Sequence, residues 1–439
     1  MPIQIRPADE MSWGRYFRFE QQTVSINRRD DSVTGLEEIA GNLVLPHGKG
    51  RSYGDVCLLK EGVCLDITGL NKVLSFDRES GLLRCEAGCT MEQLLPLIVP
   101  QGWFFPVTPG TKFTTIGGAV ANDIHGKNHH CSGTFGRHVT ALEIWRPSDG
   151  VITIRPADPL FQATVGGMGL TGVILAVTFQ CIPIASALIE KKSIQMRGIE
   201  EFFELSEESD GGGYFYTVAW IDCLAPRRAL GRGLFYRGNH ARAGSLEYER
   251  KRRLAVPFEL PFSAINRASI RAFNYIYRSR QSGRVSETMT DIDTFFYPLD
   301  RIDHWNRLYG RSGFFQFQSV TPIDAPTVVR NLLKTITDSG MGSPLVVLKK
   351  FGPIQSPGML SFPAHGYTLA IDFPNRGSEV LKLLKSLEEI TVEAGGRIYP
   401  AKDAVMSSKS FQQGFPRLAE FAPFIEPAFS SSFFRRVCP

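Results

Sequence analysis

Two glycine-rich stretches constrain this chain more than anything else in it: GKGRSYGD, Gly48 to Asp55, and TPGTKFTTIGGAVANDIHGKNHH, Thr108 to His130. Glycines let a backbone approach a pyrophosphate closely, and N–H groups left unshaded by side chains can then donate to its oxygens from a concave nest. Two such loops in one chain point to a single large, phosphate-bearing cofactor. A chain that carries one is read as an enzyme.

At 439 residues the chain exceeds what one hydrophobic core usually supports, so two domains are expected, one of them discontinuous. Its 43% apolar and 21% charged residues are those of an ordinary folded protein, without low-complexity tracts or internal repeats. A net charge of +5 and the lack of any DNA- or RNA-reading motif argue against nucleic acid as a partner. The run RRALGRGLFYRGNHARAGSLEYERKRR, Arg227 to Arg253, stands out as strongly basic. It is read first as a solvated, mobile loop, and second as a surface for anionic lipid headgroups. The opening MPIQIRPADEMSWGRYFRFE has no apolar core of a secretory signal. The most apolar stretch, Gly169 to Ile189, contains Gln180 and Pro183 and reads as a buried strand and its exit rather than a membrane span. Eight scattered cysteines are expected to be reduced thiols of a cytoplasmic protein.

Along the chain, NLVLP, VCLDITGL and LLRCEAG read as short strands, and VTALEIW with GVITIRP around PSDG as a hairpin. Thr90 and Gln93 form a capping box for a helix that Pro96 limits or kinks. FYTVAW and DTFFYPL are strand-like, APTVVRNLLKTITDSG and EVLKLLKSLEEITVEAGG are amphipathic helices, and RIYPAKD is a short strand. Short strands with few helices up to about residue 190 make the class α+β rather than a regular βαβ alternation.

One dinucleotide-type fingerprint, Gly167, Gly169 and Gly172 in GMGLTG, competes with the first loop as a cofactor site. That fingerprint needs a strand before it and a helix after it, whereas a β-rich run, VILAVTF, follows. The histidines His125, His129, His130 and His138 lie close in sequence. Adjacent histidines do not turn easily to one centre and no second ligand pair follows, so no metal is expected.

GKGRSYGD, the second loop, GTFGRHV and GGMGLTGVI resemble the cofactor-binding segments of flavoproteins of the vanillyl-alcohol oxidase, or PCMH, type. AWIDC, FFYPLD, HWNRLYG, FFQFQSVTP, LKKFGP, LSFPAHGYTLAIDFP and GGRIYPAKD extend the resemblance, in order, to the decaprenylphosphoryl-β-D-ribose 2′-oxidase family. The resemblance implies a two-domain PCMH-type FAD-binding fold with an inserted mixed α/β substrate-binding cap. The FAD-binding domain would comprise 1–190 and a C-terminal return at 397–439, with the cap at 191–396. Where histidyl-linked members of the superfamily carry a histidine in the first loop, this chain has Arg51, which implies noncovalent FAD.

By the same resemblance Gly50, Arg51, Ser52, Tyr53, Gly54, Gly117, Gly118, Asn122, Asp123, His125, Gly172, Val173, Tyr399 and Lys402 would hold the cofactor. Trp220, Tyr297, Gln316, Gln318 and Lys349 would line the substrate pocket. Catalytic roles fall to Lys402, His125 and Tyr53. Ala370 stands where some members carry a pocket cysteine, so a thiol-directed ligand should find no covalent partner here. The implied reaction is oxidation of the ribose 2′-hydroxyl of a polyprenylphosphoryl ribose to the 2′-keto sugar. A keto-reductase of the short-chain dehydrogenase class would complete epimerisation to the arabinose form. A cytoplasmic enzyme in peripheral contact with the inner membrane surface would suit that substrate. The alternative is a soluble sugar or alditol oxidase of the same fold that uses O2.

Overall fold

In the computed structural model, residues 6–27 and 41–439 are described. Val44–His47 and Val63–Asp66 pair in parallel and lie beside Arg18–Ser25 and Arg6–Met11 in a four-stranded sheet. The chain then builds an antiparallel five-stranded sheet in the order Val73–Phe76, Leu82–Glu86, Val173–Gln180, Val139–Arg146, Gly150–Ile154. Its centre is Val173–Gln180, where Val173, Leu175, Val177 and Phe179 are all buried, as a continuous apolar run requires. The hairpin at PSDG and the capping box at Thr90 form where the sequence places them.

The middle of the chain makes an eight-stranded antiparallel sheet. Its order is Val285–Asp291, Leu188–Met196, Gly233–His240, Tyr216–Ile221, Val346–Phe351, Gly366–Pro374, Phe314–Pro322, Arg397–Ile398. Side chains alternate across a strand, and the two faces differ. Phe315, Phe317, Leu348, Leu369 and Ile371 pack with the apolar sides of the helices Ile199–Gly211, Pro326–Ser339 and Ser378–Glu393 in one buried cluster. Gln316, Gln318, Val347, Lys349, Ala370 and Asp372 occupy the opposite face, as their pairings place them in one phase. Arrangement and composition are α+β, as expected.

The last forty residues return to the beginning. Val44 bridges Phe429, and Ser432 N–H donates to Leu58 C=O at 2.8 Å. Arg436 reaches Asp55 with two hydrogen bonds, 2.8 and 3.0 Å, and Asp403 with a third at 2.9 Å.

Three local expectations are corrected. The basic run from Arg227 is not a solvated loop throughout: Gly233–His240 is an interior strand with Leu234 and Phe235 buried, and Arg237 is paired with Glu208. DTFFYPL is not a strand. Asp291 accepts a hydrogen bond from Thr294 N–H and starts the helix Ile292–Phe296, followed by a 3-10 turn at Pro298–Arg301. RIYPAKD keeps only Arg397–Ile398 as strand before a 3-10 turn at Pro400–Lys402.

A Cβ at Gly54 would stand 1.6 Å from the Asp403 carbonyl oxygen. Gly54→Ala should therefore lower the melting temperature by several degrees at least, because backbone must move to admit it. Gly211→Ala, where no atom lies within 4 Å of the new Cβ, should leave it unchanged. Thermal denaturation of the two variants side by side checks the contrast.

Candidate active site

The two glycine loops meet. A Cβ on Gly48 would stand 2.5 Å from Thr115 Oγ1, and that hydroxyl accepts a hydrogen bond from Gly118 N–H at the start of Ile116–Ala121. Gly50 turns the first loop with φ +56°, a conformation glycine adopts without strain. Ser52 C=O accepts from Trp13 N–H at 2.8 Å, and Tyr53 N–H donates to Ala401 C=O at 2.9 Å. Gly117 packs where a Cβ would sit 2.9 Å from that of Ala87.

The segment bearing the false fingerprint docks on the second loop. Gly166 and Met168 N–H groups donate to Val120 and Ala121 carbonyls at 3.0 and 2.8 Å. A helix, Pro159–Thr164, precedes GMGLTG and a strand follows it, the reverse of what a dinucleotide fingerprint needs. Gly172, φ +144°, lies where a Cβ would meet Trp145 C=O at 2.7 Å. The Val173 side chain is core.

Around these loops gathers a cluster of cations. Lys402 Nζ lies 3.9 Å from the centroid of the Tyr53 ring, and burial pushes its ammonium down to about 8. Lys349 is pushed to about 7, by burial first and then by the charges of Lys127 and Lys402. Lys127, whose Nζ donates to Phe296 C=O at 3.2 Å, is held at about 8 by burial. The Arg51 guanidinium lies 4.2 Å from the centroid of Trp13 and 5.0 Å from that of Phe113. Its buried Nε has no hydrogen-bond partner, and burial lowers its pKa.

His125 sits between two polar side chains of the sheet. Gln318 Nε2 lies 2.9 Å from its Nε2 and Lys349 Nζ 3.1 Å from its Nδ1. Burial, then the Lys349 charge, drives the ring well below the ordinary histidine range, so it is neutral. Gln318 also donates to Thr368 Oγ1 at 3.1 Å. Tyr399 stacks on Phe362 and donates its hydroxyl to Asn122 C=O at 3.0 Å.

Lys402, Tyr53, His125, Tyr399, Gln316, Gln318 and Lys349 thus converge with both glycine loops. Others are committed elsewhere. The Asp123 carboxylate is fully buried, and both oxygens are taken, by Gly136 N–H and the Ser361 hydroxyl. Asn122 donates to Gly118 C=O. Tyr297 is sealed in the core with its hydroxyl 2.6 Å from Thr108 Oγ1. Trp220 lies on the site-facing side of its strand, with its indole N–H donating to Pro344 C=O at 2.7 Å. Of the histidines, His130 turns to Tyr214 C=O and His138 to Ser132.

Asp372 is the residue that sequence reasoning missed. It is fully buried, accepts from Gln316 Nε2 at 2.5 Å and from the Tyr309 hydroxyl at 3.3 Å, and burial raises it to about 7. The available signal was one acidic residue inside the apolar run GYTLAIDFP, two positions from the pocket position Ala370.

Glycine loops without room for side chains, an unpartnered Arg51 Nε and half-buried lysines fit a dinucleotide, whose pyrophosphate carries negative charge. That combination suits an anionic nucleotide cofactor. A family model described as "FAD binding domain" matches residues 38–155. Decaprenylphosphoryl-β-D-ribose oxidase of Mycolicibacterium smegmatis is 33% identical over 427 residues, 94% of this chain and 92% of that protein. An uncharacterised protein of Streptomyces coelicolor is 31% identical over 79% of this chain and 99% of its own length. L-gulono-1,4-lactone dehydrogenase of Mycobacterium tuberculosis is 28% identical over 40% of each chain. The chain is therefore an FAD-dependent oxidoreductase with a PCMH-type FAD-binding domain. It belongs to the decaprenylphosphoryl-β-D-ribose oxidase family.

Burying Lys349 costs stability, and the sign with pH is fixed. With the folded pKa near 7 and the unfolded one near 10.4, the unfolded chain holds the extra proton between the two values. Stability therefore rises with pH across that window, and the cost is fully present below about 7. Lys349→Met should raise the melting temperature, and by more at pH 6 than at pH 10. An equal or reversed difference would contradict the burial of an unneutralised cation.

Proposed function

We propose that this enzyme oxidises the ribose 2′-hydroxyl of a polyprenylphosphoryl-β-D-ribose to the 2′-keto sugar, with FAD held noncovalently. The supporting observation is the row of polar groups on one sheet face, Gln316, Gln318 and Lys349, turned toward the glycine loops and the half-buried lysines beside them. A sugar phosphate supplies the hydroxyls and the negative charge that such a row lacks. The Mycolicibacterium relative is named for the decaprenylphosphoryl ribose it oxidises.

Bound FAD supplies the hydride acceptor. Lys402 would hold the proton: its neutral Nζ takes the hydroxyl proton, and as an ammonium it would offset negative charge on a bound flavin. Asp372 raises the Lys402 pKa by its charge and sets where that exchange falls on the pH scale. Lys349, held on neutral His125, places the sugar and its phosphate with Gln318. His125 is a holder rather than a base, because burial keeps its ring from accepting a proton. Arg51, whose buried Nε has no partner, would hold the pyrophosphate, and its place in the first loop leaves no histidine there for a covalent link.

In this reading 1–190 and 397–439 form the FAD-binding domain and 191–396 the cap. Trp220 shapes the pocket wall and Tyr297 backs it from the core, while the glycines shape the cofactor bed and Asn122, Asp123 and Val173 hold its backbone from behind. The product would pass to a keto-reductase of the short-chain dehydrogenase class. The enzyme would work in the cytoplasm, at the inner membrane surface. Among the described residues no helix is long and apolar enough to cross a membrane.

Anaerobic mixing with polyprenylphosphoryl ribose should bleach the flavin absorbance, whereas free polyols should not. Bleaching by polyols with peroxide release would instead establish the soluble alditol oxidase. Acid precipitation should leave all the yellow colour in the supernatant. Lys402→Ala should keep FAD yet slow bleaching by about 100-fold or more. Bleaching should quicken as pH rises through about 8, where Lys402 loses its proton. Asp372→Asn should move that rise to lower pH, because the carboxylate charge no longer favours the ammonium.

A further inference from the structure

The surface most out of keeping with water lies between Arg250 and Arg284. That stretch contains nine arginines and lysines and one acid, Glu259, which is paired with Arg15 at 2.7 Å. Its helix, Arg267–Ser279, starts at a capping box on Asn266 and is seated by a narrow inner stripe. Ile270 and Asn274 are buried, and Asn274 Nδ2 donates to Asp222 at 2.7 Å. The outer pole is not polar. Tyr275 is 77% and Ile276 53% exposed, and Phe262, on the approach to the helix, is 72% exposed. At 100° per residue Arg267, Arg271 and Arg278 line one flank between the two stripes. Arg267 and Arg271 form no ion pair with any described residue.

An apolar outer pole with a cationic flank is the pattern of a helix lying in a lipid interface, its rings among acyl chains and its guanidinium groups at headgroup level. We infer that the Arg267–Ser279 helix and the segment leading into it dock this enzyme on an anionic lipid surface. Charge complementarity selects that occupant: a second copy would bring the same positive surface against this one. The helix also leads inward. Phe273 stacks on Tyr277 at 5.4 Å, Tyr277 meets Trp220 at 4.8 Å, and the Tyr236 and Tyr277 hydroxyls are 3.0 Å apart. Trp220 pairs with Val347, two residues from Lys349 on the same sheet face. An aromatic path thus joins the lipid-facing helix to the sugar-binding row. This part rests on the proposed lipid-linked substrate.

The test is co-flotation of the intact flavoprotein with vesicles of phosphatidylglycerol mixed with phosphatidylcholine, against phosphatidylcholine alone. The protein should float with the anionic vesicles, release at high salt, and float poorly with the neutral ones. The double variants Tyr275→Ser/Ile276→Ser and Arg267→Gln/Arg271→Gln should each weaken anionic-vesicle binding by about tenfold or more. Both should keep the parent's flavin spectrum and melting temperature, since they touch only exposed groups. The inference is overturned if the parent does not float with anionic vesicles, or if folded variants float as well as the parent. It is also overturned if sedimentation shows that the serine variant splits a dimer. Flavin bleaching by a water-soluble short-chain prenylphosphoryl ribose is read on the same samples. Flotation without bleaching defeats the substrate reading and leaves the docking surface standing; bleaching without flotation does the reverse.

Discussion

Everything at the active site depends on one knot of charge between the two ends of the chain. Arg436 grips Asp55 with two hydrogen bonds and Asp403 with another, and both carboxylates are at least 95% buried. Removing the guanidinium from such a pair would leave buried charges unanswered, at a cost of about 3–5 kcal/mol. Asp55 closes the first glycine loop and Asp403 follows Lys402. The knot therefore presses Gly54 onto the Asp403 carbonyl, bonds Tyr53 N–H to Ala401 and lays Lys402 on the Tyr53 ring.

Around that knot the protein gathers lysines whose charge burial disfavours. Lys127, Lys349 and Lys402 are all held below their ordinary range by burial, and Arg51 keeps a buried Nε without a partner. Burying positive charge in this way lowers stability, and displaced pKa values of this kind cluster at functional sites. Asp372 moderates the field from within, and its own carboxyl is pushed up to about 7. The neutral His125 ring, braced by Gln318 and Lys349, keeps a further positive charge out of the same small volume.

Local signals were legible wherever the physics is local. Thr90 and Gln93 satisfy each other's backbone within one turn, and the helix Pro326–Ser339 stops at Gly340 with φ +66°. The misreadings fall where distant partners decide. Leu234 and Phe235 are interior only because Leu188–Met196 and Tyr216–Ile221 flank them, and nothing near Arg237 in sequence announces Glu208. The aromatic run from Phe295 to Tyr297 is too short for its period to separate helix from strand, and the cap at Asp291 made the choice.

By itself, the sequence pointed to a large phosphate-bearing cofactor, because glycines let backbone approach a pyrophosphate closely, and the resemblance of its motifs narrowed that cofactor to FAD. It also carried the family through motifs in fixed order. Only the tertiary structure decided which side chains lie together. Gln316, Gln318, Lys349, Ala370 and Asp372 share one face only once three strands lie in register, since a slip of one residue would turn a strand's polar set into the helices. The depressed lysines and the raised Asp372 follow from the same packing: a pKa moves when water is removed, and what removes it here is contributed by both ends and the middle of the chain.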